Sequence, residues 1–153
     1  IAVRRGTASM FLGYWQQPEK TAEKFAGDWL RTGDLGTCDE QGYFTYVARD
    51  DDLISSGGYR IGPAEIEDCL MGDPDVVNAA VIGVPDPVRG EVVKGFVILR
   101  EGSVWDAAAE ARLIDRVRKR ISPHLSPRSV ERVASLPMTA TGKVIRRALR
   151  EPL

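Results

Sequence analysis

With 153 residues, 43% hydrophobic and 28% charged, the chain can bury one ordinary core, or a small one beside a piece of another domain. No apolar run is long enough to span a bilayer, so no membrane span is expected, and no charged-then-apolar leader opens the sequence. The net charge of -1 hides a basic end: 11 of the 21 Lys and Arg lie between Ala111 and Arg150 against two acids, Asp115 and Glu131, leaving 10 bases against 20 acids elsewhere. Such an end suits nucleic acid, a nucleotide or pyrophosphate ligand, or plain solvation. Cys38 and Cys69 have no CxxC spacing and no clustering with the single histidine, His124, so two reduced thiols in a cytoplasmic protein and no metal site are expected.

Residues Ile1 to Tyr14 alternate weakly around Gly6 and Gly13, as short strands closed by turns. Pro18 opens a helix of one or two turns over Glu19 to Lys24. Trp29 to Leu35 reads as a strand whose Gly33 turn presents Asp34. A hairpin follows, its turn at Asp39-Glu40-Gln41-Gly42 and its return strand from Tyr43 to Arg49, with Tyr43, Thr45 and Val47 on one face and Phe44 and Tyr46 on the other.

The Asp50-Asp51-Asp52 triplet combines mutual repulsion with turn preference, and a domain boundary is expected there. Leu53-Ile54 and Tyr59-Arg60-Ile61 form the arms of a ribbon around Ser55-Ser56-Gly57-Gly58. Pro63 starts a helix whose early carboxylates, Glu65 and Glu67, suit its positive end and are expected to cap rather than catalyse; Gly72 closes it. Val76 to Val84 and Glu91 to Leu99 are β-branched strands joined by Pro85 to Gly90. A helix from Ala107 to Arg120 turns Ala111, Ile114, Val117 and Ile121 inward, and Ser122-Pro123 stops it. A strand from Val130 to Leu136, the turn Pro137 to Lys143 and a short basic helix to Arg150 complete an α+β pattern.

Taken alone, Thr139-Ala140-Thr141-Gly142-Lys143 is a turn that aims one lysine at a phosphate or carboxylate oxygen; it lacks the GxxxxGK[ST] spacing of a Walker A loop. Taken in order with Thr32-Gly33-Asp34, Gly42-Tyr43-Phe44 through Arg49-Asp50-Asp51, Gly57 through Glu67, and Pro85-Asp86-Pro87-Val88-Arg89-Gly90-Glu91, it resembles the acyl-activating, AMP-forming enzymes, and its wording is most similar to the medium-chain acyl-CoA synthetase and acetyl-CoA synthetase branch.

That resemblance implies a fold: residues 51–153 as a small mobile C-terminal lid with a small antiparallel or mixed sheet and packed helices, preceded by residues 1–50 as a β-rich remnant of the large ATP-binding domain. It implies a two-step ligase of fatty acid metabolism, in which a carboxylate attacks the α-phosphate of Mg-ATP and coenzyme A then takes the acyl group from the adenylate. It also implies that the phosphate loop and acyl pocket lie upstream, in the chain's own N-terminal domain, which would hold most of the Mg²⁺ ligation, and that the isolated chain is inactive.

Position by position, Asp34 would accept the ribose hydroxyls, Arg49 would contact ribose or phosphate, and Asp51 would be the hinge, with Asp50 and Asp52 as neighbouring alternatives. Lys143 would act in adenylation. Ser56, Gly57, Gly58 and Tyr59 would line the pantetheine tunnel, Arg60 would approach the adenylate phosphate, and Arg89 the coenzyme A phosphates. Three departures stand out: Ala48 replaces the usual Gly, and His124 and Leu125 replace an aromatic and a lysine. An adenylation domain loading a carrier protein is the rival reading among enzymes, and a nucleic-acid-binding module the rival from another class; the missing interleaved aromatics argue against the latter.

Overall fold

A computed structural model describes residues 1–150 and separates, after Asp51, into two units. The first, Ile1–Asp51, holds strands β1 (Ala2–Arg4), β2 (Phe25–Ala26) and β3 (Trp29–Arg31) in an antiparallel sheet of order β1-β3-β2, with helix α1 (Pro18–Glu23) and a separate ribbon of β4 (Asp34–Cys38) and β5 (Phe44–Arg49). The strand expected over Trp29 to Leu35 is interrupted: Gly33, at φ +84°, turns the backbone so that Asp34 opens β4. The ribbon's turn is fixed by Asp39, whose carboxylate accepts the N–H groups of Gln41 and Tyr43, each at 2.9 Å. Its alternation marks no buried face, since Tyr43, Phe44, Tyr46 and Val47 are all exposed.

From Asp52 onward, β6 (Ile54–Ser56) and β7 (Tyr59–Ile61) form a hairpin whose two-residue loop, Gly57-Gly58, has φ of +55° and +86°. Left-handed backbone at both positions matches the right-handed twist of the strands, and glycine adopts it without a Cβ clash. Next come α2 (Pro63–Met71), β8 (Val76–Asp86), β9 (Gly90–Leu99), α3 (Ala107–Arg120), β10 (Ser129–Arg132) and α4 (Arg146–Arg150). β9 is the centre of a mixed five-stranded sheet. β8 pairs antiparallel along one edge of it, while on the other edge β10 pairs parallel and Ser56 of β6 meets Gly90.

Both faces of the β8–β9 pair are covered, which explains why β8 reads as an almost unbroken apolar run. Val81, Val93 and Val97 face Ile66 and Leu70 of α2 and Leu113 and Val117 of α3. Ala80, Ile82 and Phe96 face Leu136 and Leu149. Leu149 anchors α4, because a helix of five residues is not stable alone and is held by burial worth about 1.5–3 kcal/mol for such a side chain.

Several details differ from the expectations. On α3, Val117 is buried and Ile114 and Ile121 pack against the core as expected, but Ala111 is exposed and Leu113 joins the buried face in its place. β10 ends at Arg132 because Leu136 leaves the sheet to fill the second core. Gly72 does end α2 but with right-handed φ of -71°; a Cβ there would collide with the Arg116 guanidinium, which donates to the Cys69 carbonyl at 2.7 Å. Glu67 is no cap: it is buried, and its Oε1 accepts the Val81 N–H at 2.9 Å. Among the described residues, no helix is long and apolar enough to cross a membrane.

Candidate functional site

In the first unit, Asp34 and Arg49 sit opposite each other on the β4–β5 ladder. Arg49 Nη1 donates to Asp34 Oδ1 at 3.4 Å and Nε to Asp51 Oδ1 at 3.1 Å. Gly33 makes room for this, since a Cβ there would stand 3.2 Å from Arg49 Nη2. Burial pulls the Asp51 carboxyl upward, but the Arg49 hydrogen bond and charge outweigh it and hold the group below the ordinary aspartate range. Arg49 also borders a cleft of about 220 Å³ shared with Phe11, Tyr14 and Lys24. A carboxylate with two acceptor oxygens beside a guanidinium is suited to a vicinal diol next to a phosphate. Ala48 is buried and takes no left-handed conformation, so its replacement of Gly is sterically harmless.

In the second unit, Ser56, Gly57, Tyr59 and Arg89 line one cavity of about 550 Å³, together with Arg118, His124 and Arg128. None of its lining residues among those described is acidic, so three guanidinium groups give it a positive potential suited to phosphates. The turn is pinned from the Arg89-Gly90-Glu91 side: the Gly57 N–H donates to the Arg89 carbonyl at 2.9 Å, and the Ser55 N–H donates to Glu91 Oε2 at 2.7 Å. Asp86 holds the base of that loop by accepting the N–H groups of Arg89 and Val88, at 2.8 and 3.0 Å, and these bonds lower its carboxyl pKa. The Tyr59 ring stacks on His124, centroids 4.5 Å apart and planes 20° from parallel. His124 therefore fills the place of the expected aromatic as a flat ring.

Sequence reading missed Arg118 and Arg128 as members of this cavity. Arg118 looked like solvated charge, because its one cue, a place one helical turn beyond Ile114, means nothing until the fold sets Ile114 in the cavity. Arg128 had none, because its position depends on a backbone bond from its N–H to the Val93 carbonyl at 2.7 Å.

Gly58 sits at the tip of the turn with open space where a Cβ would be. Arg60 is exposed on β7, opposite Ser55. Lys143 is also exposed, and neither it nor Arg60 lines the cavity. The lysine rides on a closed hairpin: the Thr139 N–H donates to the Lys143 carbonyl at 2.8 Å, the Lys143 N–H donates to Thr139 Oγ1 at 3.0 Å, and Gly142 supplies φ of +79°. The unit thus carries two separate candidate features, a positive cavity behind a glycine turn and a lysine on a closed hairpin. Among the described residues no group of three or more His, Cys, Asp or Glu is placed to hold a metal ion.

The chain is similar in sequence and fold to known proteins over most of its length. Human mitochondrial acyl-coenzyme A synthetase ACSM1 is 45% identical over 145 residues, covering 94% of this chain and 25% of that protein. The acetyl-coenzyme A synthetase of Bacillus subtilis is 40% identical over 151 residues, 98% of this chain and 26% of that protein. The crystal structure of ATP-bound MatB from Rhodopseudomonas palustris superimposes with a TM-score of 0.80 at 38% identity, over 92% of this chain and 27% of that one. The chain thus spans about a quarter of the length of the curated relatives it matches. Residues 65–143 match the family described as the AMP-binding enzyme C-terminal domain, and with its α+β fold shared by an ATP-bound relative, the chain belongs to that family.

Proposed function

We propose that this chain supplies the C-terminal part of an AMP-forming acyl-CoA ligase, with residues 1–50 the end of the large ATP-binding domain and residues 51–153 the mobile lid. The observation that carries this reading is the separation of two chemistries within one unit: Lys143 on its closed hairpin and the arginine-lined cavity behind Gly57 to Tyr59.

In the first half-reaction, the oxygen of a carboxylic acid attacks the α-phosphorus of ATP, the bond to the β,γ-pyrophosphate breaks, and an acyl-adenylate forms. Asp34 accepts the ribose hydroxyls, and Arg49, which orients Asp34, meets the ribose or phosphate. The Lys143 ammonium offsets repulsion between two anions and stabilises charge developing on the α-phosphate, a contact worth about 3 kcal/mol. Mg²⁺, which would neutralise the ATP phosphates, would be held mainly by the upstream domain.

In the second half-reaction the lid turns about Asp51, Lys143 leaves, and Arg60 approaches the adenylate phosphate. The thiol of coenzyme A passes Ser56, Gly57, Gly58 and Tyr59 and attacks the acyl carbon, and AMP departs. Arg89, joined by Arg118 and Arg128, holds the phosphates of coenzyme A. That group of arginines favours free coenzyme A over a carrier protein, whose single phosphopantetheine phosphate needs fewer cations. Asp51 is preferred as pivot because Asp52 is tied inside the second unit by Arg146.

The basic C-terminal region has internal partners, which counts against a nucleic-acid role. Arg112 pairs with Asp73 and Asp75, Lys119 with Asp115, and Arg146 with Glu67 and Asp52. The cytoplasmic location expected from two unpaired cysteines stands beside a human relative named as mitochondrial.

The decisive experiment measures the half-reactions separately in the complete enzyme. Lys143→Ala lowers adenylation roughly 100- to 1,000-fold while sparing thioester formation from supplied acyl-adenylate; equal loss of both sinks the assignment. The isolated chain has no turnover, and acyl-CoA formation by it would remove the claim that half the site lies upstream.

A further inference from the structure

Arg146 ties the lysine hairpin to the first residue of the second unit. Its Nη1 donates to Asp52 Oδ2 at 2.8 Å, and its Nη2 donates to Glu67 Oε2 at 2.8 Å and Oε1 at 2.9 Å. The three side chains are only 19%, 21% and 12% exposed for Arg146, Asp52 and Glu67. Burial alone would lower the Arg146 pKa, but Glu67 first and Asp52 second outweigh it and raise it, so the cation persists at any working pH. Glu67 Oε1 also accepts the Val81 N–H, so one guanidinium joins α4, α2, β8 and the residue next to Asp51.

A buried ion network of this kind is weak support for stability, because desolvating the charges cancels much of their attraction and apolar side chains would fill the space as well. What it does provide is fixed geometry, through a planar fork with two carboxylate partners. Lys143 lies three residues before Arg146, and the segment between is closed by the Ile145 N–H bond to the Pro137 carbonyl at 2.8 Å and by the Met138–Val144 bridge. The hairpin has little freedom to tilt while Arg146 is held.

We propose that Arg146 is a positioning residue for Lys143: through Asp52 and Glu67 it fixes the lysine hairpin to the hinge side of the lid, so that rotation at Asp51 reaches Lys143 as a rigid displacement. The inference rests on the roles given above to Lys143 and Asp51. Asp52 is then the anchor of the triplet and Glu67 the second arm.

The test uses the complete enzyme with Arg146→Gln and Arg146→Lys, each alone and combined with Lys143→Ala, and follows pyrophosphate release and thioester formation from supplied acyl-adenylate. Arg146→Gln is expected to lower the kcat of adenylation about 10- to 100-fold, the cost of a misplacement of roughly 1 Å, with the KM for ATP and thioester formation unchanged. Arg146→Lys recovers part of the loss. In the Lys143→Ala background Arg146→Gln lowers residual adenylation no further, because its effect passes through the lysine. Equal loss of both half-reactions, or a full additional loss in the Lys143→Ala background, overturns the proposal. Asp52→Ala removes one arm and leaves the Glu67 pair; it must show the same selective, smaller loss, and it decides the matter if Arg146→Gln does not fold. Failure of the functional reading is a different result: Lys143→Ala itself then leaves adenylation intact.

Discussion

Gly83 of β8 and Glu91 of β9 are diagonal neighbours on one sheet face, so close that a Cβ on Gly83 would stand 2.7 Å from the Glu91 carboxyl carbon. The same carboxylate accepts the Ser55 N–H at 2.7 Å, which places the glycine turn against the Arg89 loop. An absent side chain in one strand therefore decides where a turn in another lies.

Gly83→Ala is expected to push Glu91 away and loosen the turn. The flexible Glu91 side chain can swing aside, so the cost is mainly its lost bond to the Ser55 N–H, about 1–2 kcal/mol, visible in urea unfolding of the chain. In the complete enzyme, thioester formation falls while adenylation is retained. Unchanged thioester kinetics in a variant destabilised by that amount would break the link between Glu91 and the tunnel.

Gly58→Leu isolates the second half-reaction. The position has φ of +86° and open space around it, so the leucine adds roughly 1–2 kcal/mol of backbone strain and a side chain standing at the tip of the turn. Acyl-adenylate should accumulate with little acyl-CoA. Normal acyl-CoA production would remove the tunnel from this turn.

Truncating the cavity arginines separates substrates. Arg89→Ala, Arg118→Ala and Arg128→Ala each remove a charged donor, typically worth about 1.5–3 kcal/mol, so the KM for coenzyme A should rise roughly 10- to 100-fold with the KM for ATP unchanged. The two residues that sequence reading missed test the reading best. A parallel rise in the KM for ATP would assign the cavity to another ligand.

Asp51 carries a pH signature. Its folded pKa lies below the unfolded value, so its contribution to stability is present above the unfolded pKa and is lost as pH falls through the lowered folded one. Because the group is largely exposed the energy is small. Arg49→Gln removes the hydrogen bond and charge that oppose burial, and the Asp51 carboxyl should then titrate at higher pH. Carbon-13 NMR of that carboxyl in the chain measures it; an unmoved titration would show that Arg49 does not control the group.

Local chemistry was legible from order alone. The Gly57-Gly58 pair permits left-handed backbone, Pro63 opens a helix because its missing N–H is not needed there, and Gly142 lets the Lys143 turn close. Each is a property of the residue itself, and each gave its element within a few positions. The β-branched run likewise announced β8 as a strand, though its cover on both faces emerged only from the fold.

The sequence by itself determined which short segments turn, pair or coil, and which residues were of the type to meet a nucleotide or a thiol. Only the tertiary structure decided what lies beside what. Glu67 looked like a helix-end carboxylate from its neighbours, yet it is bound to Arg146, 79 residues away, and to the Val81 N–H. Arg118 and Arg128 looked like solvated charge until the folded sheet and α3 set them beside Arg89. The physical reason is range: backbone preference and capping act within a few residues, whereas ion pairing and cavity formation depend on which distant chain segments the core brings within a few ångströms.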